Sequence, residues 1–174
     1  MLSRRALARA LLVLPAGVGL ARAAEVPEQR PIGQGMFRWF GLDIYRATLS
    51  AAPGFDPVRF EEHPFSLELE YRRRFEGADI AQRSVEEMAG IAPLPEASAR
   101  DWLAAMRRVF PDVQPGDRLL GVHEPGVGAR FFHNARPIGR VDDPRFSARF
   151  FGIWLSPRTS EPRLRAALIA GAAR

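Results

Sequence analysis

The sequence contains no cysteine. That excludes a disulfide framework, a thiolate metal site, a cysteine nucleophile and lipid attachment through an N-terminal cysteine. Lysine is absent as well, so all 25 basic residues are arginine. There is no Gly-x-Ser-x-Gly, which argues against a serine hydrolase. The three histidines, His63, His123 and His133, show neither i, i+4 nor His-x-His spacing, and no metal site is expected. His123 and His133 flank a predicted hairpin and could approach each other, but no carboxylate accompanies them at ligand spacing. "PGVGA" lacks the lysine and the following helix of a phosphate loop and reads as a turn. Internal repeats, low-complexity tracts and linkers are missing too, so one domain is expected. No cofactor is implied.

What is present suits a globular chain. The 174 residues are 47% apolar and 26% charged, enough for one domain with a core. The start, "MLSRRALARALLVLPAGVGLARAAEV", has a basic end (Arg4, Arg5, Arg9), a short apolar stretch over Ala10–Ala21 and the small-x-small pattern Ala21-Arg22-Ala23. That layout predicts a secretory signal peptide over residues 1–23 and a mature domain over 24–174. "SRRAL" also fits a twin-arginine signal loosely. The apolar stretch is too short to anchor the chain and is broken by Pro15, so no integral anchor is expected after cleavage. The expected location is the periplasm or the exterior. Four arginines and no acid precede Ala24, so the formal charge of +5 belongs largely to the leader. Bulk charge therefore gives no support for a nucleic-acid partner.

Met36–Ser50 is rich in aromatic residues and apolar on both faces, which predicts one long strand covered on both sides. Phe65–Phe75, "FSLELEYRRRF", alternates cleanly and predicts a half-exposed antiparallel strand. Asp79 can cap a helix carrying Ile80, Val85, Met88 and Ile91 at helical spacing; a second helix spans Ser98–Phe110 behind Ser98-x-x-Asp101. Short strands follow, with turns at Pro115-Gly116, Pro125-Gly126 and Asn134-Ala135. Asp143 at an N-cap and Pro144 at the first helical position start an aromatic helix through Phe146, Phe150, Ile153 and Trp154. A last helix runs from Glu161 to Ala170. The order predicts an α+β layout, an antiparallel sheet with helices mainly on one face.

Arginine on apolar strand faces is the feature that calls for an explanation. Arg73 shares its predicted face with Phe65, Leu67, Leu69, Tyr71 and Phe75. Arg38 and Arg46 share theirs with Phe40, Leu42 and Ile44, while Asp43 falls on the opposite face. An unpaired buried guanidinium costs several kcal/mol, so each must reach water, an internal acid or an anionic ligand. One answer is that they lie near strand ends and snorkel. The other is a set of forked donors in an apolar cleft, suited to a carboxylate on an apolar molecule.

The chain resembles the bacterial, exported branch of the chalcone isomerase-like family. The resemblance rests on "GMFRWFGLDIYRATL", on "FSLELEYRRRF" leading into "GADIAQRSVEEM", on "FPDVQPGDRLLGVHEPGVGARFFHNARPIGRVDDPRF" and on the ending "FFGIWLSPRTSEPRLRAAL", in that order. It implies an open-faced β-sandwich of the chalcone isomerase type: a long antiparallel sheet, a helical layer on one face and a ligand cleft between them. The plant isomerases use a strand threonine, a helical tyrosine with an asparagine seven residues later, and an arginine leading into the long strand. Matched to this sequence, the threonine falls on Phe40 and the helical pair on Ile80 and Glu87. Phenylalanine and isoleucine have no hydroxyl with which to polarise a ketone. The arginine falls on Arg38, or on Phe37 in an ungapped match, with Arg30 upstream. The family's aromatic-x-Arg ending of the second strand is kept as Tyr71-x-Arg73.

These readings favour an exported, non-catalytic protein that binds an apolar small molecule, with a fatty-acid-like carboxylate as one form of it. Arg38, Tyr45, Tyr71 and Arg73 are the candidate ligand contacts, and no catalytic residue is assigned. One alternative is an intramolecular lyase or isomerase acting on a phenolic or enone substrate through Tyr45, Arg38 or Glu87. Another is an envelope interaction module with a filled core and an exposed apolar patch.

Overall fold

The structure, a computed structural model, describes residues 28–172; the leader predicted over 1–23 lies outside the described residues. Among the described residues the chain forms six strands, four α-helices and one short 3-10 turn. The strands are β1 (Arg30–Trp39), β2 (Leu42–Ala51), β3 (Phe65–Tyr71), β4 (Arg118–Glu124), β5 (Gly128–His133) and β6 (Arg136–Val141). They form one open antiparallel sheet in the order β1-β2-β3-β4-β5-β6. The helices are α1 (Gly77–Ile91) and α2 (Glu96–Val109), both between β3 and β4, then α3 (Pro144–Leu155) and α4 (Pro162–Leu168) after β6.

The period-two pattern decides which face is covered. Ala47, Leu49 and Ala51 of β2, Phe65, Leu67, Leu69 and Tyr71 of β3, Leu119 of β4 and Phe131 of β5 are buried beneath the helices. The alternate residues line the open face, where Glu68 meets Arg118 at 3.6 Å and Glu124 meets Arg130 at 2.9 Å. Helix α3 is the centre of the helical layer. Its start is as the sequence predicts: Pro144 opens it, and the Asp143 carboxylate accepts from the amides of Arg145 at 2.8 Å and Phe146 at 3.3 Å. The same carboxylate accepts from the Trp102 indole at 3.1 Å, tying α2 to the start of α3. Asp143→Ala is therefore expected to lose about 2 kcal/mol of stability; urea denaturation measures it.

The expected single strand over Met36–Ser50 is instead a hairpin. It turns at Phe40-Gly41, both at positive φ (48° and 77°), between the paired residues Trp39 and Leu42. Two central residues at positive φ mark a type I′ turn, whose twist suits a two-residue hairpin. Such turns favour Asn-Gly, and a bulky residue in that region is an outlier, so Phe40 conceals the turn in the sequence. The hairpin also pairs Arg38 with Asp43, Nε to Oδ1 at 2.6 Å, which corrects the expectation that they stand on opposite faces. The second two-residue turn, Asn134-Ala135, lies where the sequence places it, at φ 48° and 66°. There Asn134 is held by Asp117 and by the Arg118 amide, each at 2.9 Å.

Three further expectations are adjusted. Strand β3 ends at Tyr71, so Arg73 is an exposed bend residue and not part of an apolar strand face. Helices α1 and α2 begin earlier than expected, at Gly77 and Glu96, and their N-cap residues Glu76 and Pro95 make no side-chain cap; the Gly77 amide donates to Asp112 instead, at 2.9 Å. His123 pairs with Ala129 and His133 with Leu119, so the two histidines stand at opposite ends of the β4–β5 ladder and do not meet.

Candidate functional site

A cavity of about 450 Å³ lies between the covered sheet face and the helices α1, α3 and α4. That size is within the range of small-molecule sites. Its deep end is apolar: Leu67 and Leu69 of β3, Leu119 of β4, Phe131 of β5 and Phe150 and Phe151 of α3. On β4 the inward position between these residues is Gly121, and the Phe151 ring fills the place of its missing side chain (a Cβ there would stand 3.0 Å from the ring). Trp39, Asp79, Arg83 and Ser160 both line the cavity and are exposed, and so mark its mouth.

One side of the site is built by a bulge. The register shifts between Phe37↔Tyr45 and Arg38↔Asp43, leaving Ile44 as an extra residue on β2. Consecutive residues of a regular strand face opposite ways, yet Ile44 and Tyr45 both line the cavity. The opposite side comes from α1, where Ile80, Ser84 and Glu87 recur at i, i+4 and i+7 on one face. Ser84 and Glu87 make that face partly polar, and the Ser84 hydroxyl is turned back to the Ile80 carbonyl at 2.8 Å.

At the mouth Arg83 is matched by acids. Arg83 pairs with Glu87, lies 3.7 Å from Glu86 and sits 5.4 Å from the centre of the Trp39 ring. Glu87 also accepts from Ser160 at 2.7 Å, which links α1 to the start of α4.

The polar groups further in are phenols. Tyr45 and Tyr71 are register partners on β2 and β3, with ring centres 5.8 Å apart. The Tyr45 oxygen accepts from the Trp154 indole at 3.0 Å. Burial pushes the Tyr45 phenol far above its ordinary value, and the Glu161 and Glu87 carboxylates push it further against the Trp154 bond. Burial does the same to Tyr71, followed by the neighbouring Tyr45. Both phenols therefore stay protonated. The Tyr45 proton finds no acceptor, and the Tyr71 hydroxyl no partner, among the described residues. The cavity thus offers two neutral hydrogen-bond donors against an apolar wall.

Of the four residues singled out in the sequence, Tyr45 and Tyr71 line the cavity; Arg38 and Arg73 do not. Arg38 is exposed and paired with Asp43, and Arg73 is exposed beyond the end of β3. Arg46 is exposed on the open face. Phe40 is 89% exposed at the hairpin tip, so it does not occupy the place of a catalytic hydroxyl inside the cleft. Ile80 and Glu87, the matched helical positions, do face the cavity. Sequence reasoning missed Trp39, Arg83, Ser84 and Trp154 as site residues. For Arg83 and Ser84 a signal existed, since polar residues interrupt the apolar stripe of α1. Among the described residues no group of three or more histidine, aspartate and glutamate side chains is placed to hold a metal ion.

The sequence model of chalcone isomerase-like proteins matches residues 33–170. The chain belongs to the chalcone isomerase-like family. It is 28% identical over 147 residues to an uncharacterized protein of Haemophilus influenzae, covering 84% of this chain and 71% of that one. Among solved structures it is similar to a fatty-acid binding protein of Arabidopsis thaliana. The TM-score is 0.65 at 12% identity, over 83% of this chain and 88% of that chain. At that identity the likeness speaks for the fold: an open sheet with a helical layer, as observed here.

Proposed function

We propose that the protein is an exported, non-catalytic member of the family that binds an apolar, fatty-acid-like small molecule. The observation that carries this reading is the 450 Å³ cavity, apolar at its deep end and furnished with two free phenol donors, Tyr45 and Tyr71. The apolar part of the ligand packs against Leu67, Leu69, Leu119 and Phe151, while its polar head accepts hydrogen bonds from the phenols. The name of the Arabidopsis neighbour supports the ligand class. Export to the periplasm rests on the leader pattern and is tested by whether protein recovered from that compartment begins near Ala24.

The direct test is organic extraction of purified protein with mass spectrometry of the extract, together with a titration of fatty acids of increasing length. Ser84→Phe places a ring in the cavity and is expected to weaken binding at least tenfold, on the order of 1.4 kcal/mol, with the melting temperature unchanged or raised. No co-purified lipid and no binding of any fatty acid would overturn the reading.

The enzymatic alternative draws on Tyr45 and Glu87, which face the same cavity. It expects turnover of a chalcone or another enone that drops in Tyr45→Phe. Against it, a phenol held protonated is a poor base at neutral pH, and Glu87 is already engaged by Arg83 and Ser160. An envelope interaction module calls for a filled core, and the cavity speaks against that.

A further inference from the structure

The tip of the β1–β2 hairpin is apolar where solvent would favour polar residues. Phe40 is 89% exposed, Trp39 48% and Leu42 46%, three of the five large apolar side chains that stand most in solvent among the described residues. Phe40 is unfavourable at this position on two counts. It exposes a large apolar ring, and it holds a positive φ of 48° that asparagine or glycine adopts with less strain. Strain of this kind persists at functional sites, and the inference runs from the outlier to the role. The turn itself stands in open space: a Cβ built on Gly41 meets nothing within 4 Å.

Two further observations say what the tip meets. The first is its continuity with the cavity. Trp39 belongs both to the tip and to the mouth, under the Arg83 guanidinium. The second is charge. The Arg72 amide donates to the Ile44 carbonyl at 2.8 Å, so Arg73 and Arg74 leave the sheet beside the start of β2, at the same end as the tip. Arg38 is paired with Asp43 and Arg72 with Glu70, whereas Arg73 and Arg74 are exposed and form no ion pair among the described residues. The next acids along the chain, Glu76 and Asp79, belong to the start of α1, and Asp79 faces the cavity. Two exposed arginines without an ion pair therefore stand at the tip's end of the sheet, ahead of those two acids. Aromatic side chains flanked by arginine suit the boundary of an anionic bilayer, where the rings sit at headgroup level and the guanidinium groups meet phosphate.

We propose that Trp39-Phe40-Gly41-Leu42 is a membrane-docking tip that inserts Phe40 into the surface of an anionic bilayer and brings the cavity mouth to the lipid. The purpose of docking, loading or unloading an apolar ligand without passage through water, rests on the ligand-binding reading above. The docking itself is independent of that reading.

The test is co-sedimentation of the folded protein with vesicles of 70:30 phosphatidylcholine:phosphatidylglycerol and of phosphatidylcholine alone, for the wild type and for Phe40→Asn. The pair shares every other residue, and asparagine suits the turn, so the variant is expected to fold. Fatty-acid affinity in vesicle-free solution is measured on both. Docking expects the wild type to bind the anionic vesicles and Phe40→Asn to lose at least tenfold, since burying a phenylalanine ring is worth that factor or more. The double variant Arg73→Gln, Arg74→Gln is expected to weaken binding to the anionic vesicles tenfold or more. Fatty-acid affinity is expected to be unchanged in Phe40→Asn. Vesicle binding without fatty-acid binding supports docking and overturns the ligand reading. Absence of vesicle binding by the wild type, or equal binding by Phe40→Asn, overturns docking. So does concentration-dependent self-association that Phe40→Asn abolishes in the absence of vesicle binding, since it assigns the tip to a second copy of the chain.

Discussion

Replacing Gly33 by alanine, a single added methyl group, is expected to destabilise the protein by about 3 kcal/mol, at the upper end of overpacking costs. A Cβ at this position of β1 would lie 2.0 Å from the Leu168 carbonyl oxygen and 2.4 Å from that of Ala167. Both are backbone atoms of the last turn of α4, so no rotamer change relieves the contact; α4 itself must lift. Lifting it exposes Leu164 and Leu168, now 5% and 0% accessible, each worth about 1.5–3 kcal/mol when buried. The midpoint of thermal unfolding should fall by roughly 6–12 °C for a chain of this length. The effect reaches the cavity, because Ser160, Glu161 and Leu164 form part of its wall. Fatty-acid affinity should therefore fall together with stability. Unaltered stability in Gly33→Ala would show that α4 does not seat on β1 as described.

Acid is expected to weaken the fold through His123. Its ring is 1% exposed, stacked on Phe65 at 4.9 Å, with Nδ1 2.7 Å from the Ser147 hydroxyl and Nε2 3.0 Å from the Glu61 carbonyl. A carbonyl only accepts, so Nε2 donates and Nδ1 accepts from Ser147, which is the neutral tautomer with both nitrogens satisfied. Burial lowers the pKa of this imidazole below its ordinary value, against the smaller opposing pull of the Glu61 and Glu124 region. The unfolded chain then takes up the proton more readily than the folded one. The contribution is whole above about pH 6.5 and is lost as the pH falls from there through the lowered folded value, at up to about 1.4 kcal/mol per unit. His123→Leu keeps the bulk but leaves the Ser147 hydroxyl and the Glu61 carbonyl unpartnered, which costs about 3 kcal/mol at neutral pH. Urea denaturation of both proteins at pH 7.5 and pH 5 separates the effects: the gap between them should narrow in acid. A constant gap would mean that folding leaves the His123 pKa at its unfolded value.

The parts of the fold that could be read from the sequence are those where one physical cause dominates. Asp143-Pro144 carries both the cap and the fixed φ of a helix start, and α3 begins there. Strict alternation from Phe65 to Tyr71 gives β3, and with it Tyr71 on the covered face. The parts that could not be read are those where the pattern continues past the structure. Alternation runs on through Arg73 to Phe75, yet the strand stops at Tyr71 and Phe75 only rejoins through an isolated bridge to Val113. The apolar run from Met36 to Ser50 hides a reversal, since its turn holds a phenylalanine where asparagine is usual. The hidden reversal is what brings Arg38 beside Asp43 and leaves Phe40 at the exposed tip. The cavity was harder still, because it depends on the Ile44 bulge and on the approach of α4, both decided by contacts distant in sequence.

The open sheet has two outer strands, β1 and β6, and each carries a proline within its paired stretch: Pro31 opposite Ser50 and Pro137 opposite Phe132. Proline cannot donate to a ladder, so neither rim offers a continuous row of amides to a strand from another molecule. On the β1 side the end of the chain adds a cover, with the Gly171 amide bonded to the Ile32 carbonyl at 2.8 Å. On the β6 side the exposed Arg136 and the Arg140–Asp142 ion pair put charged side chains along the rim. A sheet that never closes into a barrel is in this way guarded against growing edge to edge into fibrils.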